Sequence, residues 1–77
     1  MNDPKPNDKL TIEGDDYTVV ATCYYTDDIM LVLLLAAHPP YFAVAHIDLE
    51  TGNTMWINVH RNIVPAVEEY IQSGGDY

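Results

Sequence analysis

Apolar and polar positions change rhythm repeatedly along the chain, and each rhythm predicts an element. Residues 9–13, Lys-Leu-Thr-Ile-Glu, alternate with period two and predict a short strand. Gly14-Asp15-Asp16 reads as a turn, because Gly and Asp tolerate the backbone angles a hairpin needs. Residues 17–25 are rich in Val, Thr and Tyr, which suit a pleated surface, and Thr26-Asp27-Asp28 makes the next turn. Residues 29–36 are apolar at every position. Their Leu, Met and Ala are good helix formers, so a helix is the alternative there. The segment is short, however, and bounded by Asp27-Asp28 and His38-Pro39-Pro40, which favours a strand. Residues 41–49 and 54–60 are two further strands, joined by a turn in which Gly52 supplies the left-handed position. Asn62 then suits a helix N-cap and Pro65 the first turn, where a missing N–H costs little. Glu68 and Glu69 would sit near that N-terminus, where the helix dipole favours negative charge. Val64, Val67 and Ile71, flanked by Ile63 and Tyr70, form the expected buried stripe, and Gly74-Gly75 ends the helix.

These elements predict an α+β domain, an antiparallel meander of about five strands with one C-terminal helix packed on one face. Residues 1–8, with two Pro, two Asn and two Asp, read as a flexible arm, and residues 9–75 as the single domain. A two-residue turn at Thr51-Gly52 and a four-residue loop over 49–52 both place Phe42, Val44 and His46 with Met55, Ile57 and Val59. That face is expected to hold the core. The segment at 29–36 is apolar on both sides, and one short helix covers only one side of a sheet. The helix-free face is therefore expected to expose Leu31, Leu33, Tyr41 and Trp56 and to be covered by a second copy, as a homodimer.

Composition narrows the function. Three Lys plus Arg against twelve Asp plus Glu in 77 residues give a net charge of −9. Direct nucleic-acid binding is excluded as an expectation, because it needs a basic footprint. The longest apolar run, residues 29–37, is far short of the roughly 20 residues of a membrane helix, and the N-terminal residues do not form a signal peptide. The single Cys23 allows no internal disulfide and reads as a buried thiol, which together favour the cytoplasm. His38, His46 and His60 show no metal-ligand spacing, and the register above sends His46 and His60 to opposite faces. His60 is then expected to face solvent. Ser73 is the sole serine, no Gly-rich phosphate loop exists, and the acid pairs in turns diverge. The expectation is a non-enzyme without metal or cofactor.

Charge geometry remains. Alternate turns of a meander share one end of the sheet, so Asp27-Asp28 joins Asp48 and Glu50, and Asp15-Asp16 lies opposite. Acids favour turns for local reasons. That does not explain the near-absence of Lys and Arg, since ordinary surfaces intersperse both signs. With its short length, its charge and the pairs Asp15-Asp16, Asp27-Asp28 and Glu68-Glu69, the chain resembles the small acidic inhibitors that phages and mobile elements direct against host defence, the anti-CRISPR and antirestriction proteins of the DNA-mimic type. The resemblance implies a basic protein partner, a CRISPR effector or a restriction enzyme, met by Asp15, Asp16, Asp27, Asp28, Asp48, Glu50, Glu68 and Glu69 in place of phosphates. The rival reading is a small homodimeric accessory domain whose acidity serves solubility. A ligand- or metal-binding module built on His46 and His60 ranks below both.

Overall fold

A computed structural model describes residues 3–74. Five strands, β1 (Lys9–Ile12), β2 (Asp15–Tyr24), β3 (Ile29–Ala36), β4 (Phe42–Asp48) and β5 (Thr54–His60), precede one helix, α1 (Ile63–Gln72). The strands form one antiparallel sheet in the order β1-β2-β3-β4-β5, and α1 packs across β3, β4 and β5. The fold is the expected α+β meander, and the all-apolar segment is its central strand. No helix among the described residues is long and apolar enough to cross a membrane.

The first hairpin is tighter than expected. Ile12 opposes Asp15, which leaves Glu13-Gly14 as a two-residue turn with φ of 53° and 85°. Two positive φ values belong to the primed turn whose twist matches that of the strands it joins. Asp15 and Asp16 therefore open β2 rather than forming the turn. Asp16 Oδ1 accepts a hydrogen bond from Thr11 Oγ1 across the ladder at 2.7 Å.

Both faces of β3 are dry from Met30 to Leu34, and Leu35 near its end is 42% exposed. Leu31 and Leu33 lie beneath α1 with Val44, Ala66 and Tyr70, bordered by Ala21, Cys23, Phe42 and Val67. Met30, Val32 and Leu34 point the other way, into a larger cluster with Ile12, Tyr17, Val19, Ala43, Ala45 and Ile47. Among the described residues no helix covers that second cluster. The sheet covers it by coiling: residues 11–13 at one margin and 52–57 at the other line a single groove of about 620 Å³. Two irregularities assist, one in β2 between Val19 and Ala21 and one in β5 between Thr54 and Trp56. An extra residue in one strand bends it and increases its twist. The N-terminal arm contributes too. Asn7 N–H donates to Val19 O and Val19 N–H to Asp8 O, each at 2.8 Å, and Pro4 lines a separate cavity of about 130 Å³ with Leu10 and Ile47. Asn7 and Asp8 are thus paired with β2, while the first two residues of the expected arm lie outside the described range.

The expected dimer face does not exist as one surface. Leu31 is 0% and Leu33 6% exposed, both inside the molecule. Trp56 is exposed but opposes His46 on the helix side, and Tyr41 lies in the loop before β4 with φ of 70°. The leucines expected to need a second copy are covered by α1, and their neighbours by the coil of the sheet.

The β4–β5 register explains why the expected core face was half wrong. The connecting loop does have four residues: Asp48 N–H donates to Asn53 O at 2.8 Å, and Ile47 opposes Thr54. Met55 is then the extra residue of the bulge, so Trp56 opposes His46, Asn58 opposes Val44 and His60 opposes Phe42. A one-residue slip inverts every later side chain. Ile57 joins the concave cluster, whereas Met55 and Val59 are exposed.

The helix also buries a different line than expected. Ala66 and Tyr70, one turn apart, are its buried residues, with Val67 half-buried; Ile63, Val64 and Ile71 are exposed. Asn62 occupies the N-cap position in extended geometry without a side-chain cap bond, and the first turn holds no acid, so the dipole role expected of Glu68 and Glu69 is not realised. Ser73 N–H donates to Glu69 O at 2.9 Å and Gly74 takes φ of 107°, closing the helix; Gly75, expected to share that role, lies outside the described residues.

Coiling makes a prediction that a flat sheet would not. Leu34 is 0% exposed on the helix-free side. Leu34→Ala should cost about 2–4 kcal/mol, as Leu31→Ala should on the helix side, read as lowered urea midpoints. A near-neutral Leu34→Ala would mean that the concave face is open to water.

Candidate functional site

The expected acidic residues fall into three places. Asp27 and Asp28 occupy the β2–β3 turn, and Asp48 and Glu50 the β4–β5 turn beside it. Ile29 opposes Asp48, and Leu49 N–H donates to Asp28 O at 2.8 Å, so the two turns are joined through backbone. Side chains shape each turn as well. Thr26 Oγ1 accepts from Asp28 N–H at 3.2 Å, and Asp48 Oδ1 accepts from Glu50 N–H at 2.9 Å. Asp48 is therefore partly a turn former, as the local preference of Asp suggests. Asp15 and Asp16 lie at the opposite end of the sheet, bordering a cavity of about 220 Å³ with His38, Pro39 and Pro40. Glu68 is exposed on α1, while Glu69 turns inward to the sheet. The eight acids do not form one surface, but four of them form one end.

Their charge is left unneutralised by the protein itself. Among the described residues the single carboxylate–cation contact within 4 Å is that of Glu69 with His60. Lys9 Nζ, next to Asp8 in sequence, instead donates to Thr18 Oγ1 at 2.8 Å. The acidic end thus faces solvent with no basic side chain against it.

A second cluster lies on the helix side of β4 and β5. Glu69 reaches across from α1, with Oε1 2.7 Å from His60 Nε2 and Oε2 accepting from Asn58 Nδ2 at 2.9 Å. Next to it His46 stacks on Tyr25 at 4.9 Å between centroids and meets Trp56 at 5.1 Å. The His46 Nε2 atom is buried without a hydrogen-bond partner. Sequence reasoning sent His46 and His60 to opposite faces and His60 to solvent. The bulge at Met55 puts both on one face, and Glu69 shields His60 to 18% side-chain exposure. The alternation of Trp56, Asn58 and His60 was visible in the sequence, but only the bulge assigns it to the helix side.

Burial pushes the Glu69 carboxyl up, but the hydrogen bonds from His60 and Asn58 and the electrostatic pull of His60 and His46 outweigh it and hold it below the ordinary 4.5. This site fastens the helix to the last strand, with both carboxylate oxygens engaged. Cys23 Sγ lies 3.4 Å from Gly74 O, just past the C-terminus of the same helix. Among the described residues no group of three or more His, Cys, Asp or Glu side chains is placed to hold a metal ion.

Comparison with family models, with curated proteins and with solved structures found no match to this chain.

The Glu69 fastener predicts a pH signature. A carboxyl whose folded pKa is depressed stabilises the fold above its unfolded pKa and loses that contribution as pH falls through the folded value. Glu69→Gln should therefore lower stability by about 1 kcal/mol at pH 7, the scale of a hydrogen bond to a charged group discounted for partial exposure. The gap between wild type and variant in denaturant midpoint should narrow as pH drops below 4.5. A gap independent of pH would show that the charge of Glu69 contributes nothing.

Proposed function

We propose that the protein is a non-enzymatic inhibitor that seats its acidic end, Asp27, Asp28, Asp48 and Glu50, on the basic nucleic-acid-binding surface of a nuclease complex of host defence, in the cytoplasm of the cell that makes that complex. The observation that carries the reading is a field without internal compensation. The formal charge is −9, and no Lys or Arg side-chain nitrogen among the described residues lies within 4 Å of a carboxylate. A small domain gains nothing in stability from such self-repulsion. Toward a basic groove the same field raises the encounter rate and rejects wrong partners. Backbone pairing holds the two turns together, so little backbone ordering entropy is lost when they dock. Asp15, Asp16 and Glu68 extend the negative field around the molecule without joining that contact. Glu69, committed to His60 and Asn58, is removed from the partner-binding set. The choice of a CRISPR effector or a restriction enzyme as target follows the resemblance to acidic anti-defence inhibitors.

The test is competition. Purified CRISPR effector complexes and restriction enzymes are titrated with the protein in the presence of labelled duplex DNA, and one of them is expected to release it. Loss of DNA from none of them would overturn the reading. Against the target so found, Asp27→Lys/Asp28→Lys should slow association by about tenfold at low salt, with a flatter salt dependence. The same double variant should change stability by no more than about 0.5 kcal/mol, because both side chains are exposed. An unchanged association rate would take this end of the sheet out of the interface.

A further inference from the structure

We infer that the free edge of β5 is the surface through which two copies of this chain associate. Among the described residues β5 closes the sheet and pairs with β4 alone, so the backbone groups along its outer margin have no strand partner there. Proteins ordinarily protect such an edge with Lys, Pro or charge. Thr54–His60 contains none of these, and Met55 and Val59 are 57% and 47% exposed along it. The bulge at Met55 interrupts the margin at its start and leaves Trp56 to His60 as its regular part.

The charge distribution points to the occupant. Residues 51–67 contain no Asp or Glu, although the whole chain has twelve, and Arg61 lies within this stretch. Two molecules of charge −9 repel wherever their acids meet, so self-association is confined to a surface that lacks them. The other sheet margin fails that condition. β1 has four residues, carries Lys9, and is flanked by Asp8 and Glu13. An antiparallel strand edge is also self-complementary, since two β5 strands paired about a two-fold axis donate and accept identically. The contact differs from the one expected through the helix-free face, which the coiled sheet has closed. It leaves the turns of Asp27-Asp28 and Asp48-Glu50 outside the pairing strand, so each dimer would present two acidic ends.

Sedimentation equilibrium of the whole chain tests the inference, with the expected species at twice 8.7 kDa. Association should strengthen as salt rises, because screening relieves repulsion between like-charged copies. The inhibitor complex proposed above should weaken with salt, so failure of one reading is distinguishable from failure of the other. Met55→Glu/Val59→Glu should raise the dimer dissociation constant at least about tenfold, with the circular dichroism spectrum unchanged. A single 8.7 kDa species at every concentration overturns the inference, and so does a folded variant that dimerises like wild type. Should the variant fail to fold, amide exchange of wild-type residues 56–60 decides. Exchange that slows with protein concentration supports pairing at this edge, and concentration-independent exchange overturns it.

Discussion

β3 carries apolar side chains on both faces, and the rest of the fold follows from the need to keep both dry. Each fully buried Leu or Val contributes about 1.5–3 kcal/mol relative to exposure, so leaving either row in water would forfeit much of the stability of so short a chain. A chain of 77 residues affords one helix, which covers Leu31 and Leu33. The second row, Met30, Val32 and Leu34, is covered by the sheet itself, coiled until residues of β1 and β5 line one groove. Ala43 and Ala45 in β4 have no bulk on that concave side, which suits a tight coil.

Coiling has a local cost in regular pairing, visible at two bulges, and the one in β5 shapes everything on the helix side. By turning Met55 out of the ladder it aligns Trp56, Asn58 and His60 with the helix-bearing face. A polar strand face would be a poor seat for a helix. Glu69 resolves the mismatch by meeting Asn58 and His60 from α1, while Ala66 and Tyr70 supply the apolar contact over β3 and β4. One acid of the twelve is thereby withdrawn from the surface and given a structural role. The others mostly remain in water, and that division separates the charge that holds the fold from the charge available to a partner.

The two proposed contacts use opposite properties of the same small body. The acidic end is polar, backbone-fastened and strongly charged, so it suits a basic partner and weakens with salt. The β5 strand contains no acidic residue of its own and has an outer margin without a strand partner among the described residues, so it suits a like-charged copy and gains from salt. They lie on separate parts of the molecule, and neither contact requires the fold to change.

Much of the architecture was legible in the sequence. Turn residues at Asp27-Asp28, Pro39-Pro40 and Gly52 punctuate the strands, Asn62 and Pro65 mark where the helix begins, and meander topology brings Asp28 beside Leu49. These are local properties: turn chemistry and periodicity act over a few residues and need no distant partner to be read. The bulge at Met55 is different. Nothing in Thr-Met-Trp-Ile marks which residue leaves the ladder, because that choice is set by the twist of the whole sheet. From that one decision came the misplaced faces of β5, the separation of His46 from His60 and the unforeseen Glu69 fastener. The cover for the second face of β3 was equally hidden. Sequence established that both faces were apolar, and only the coil of the sheet in three dimensions decided that the chain would bury them both itself.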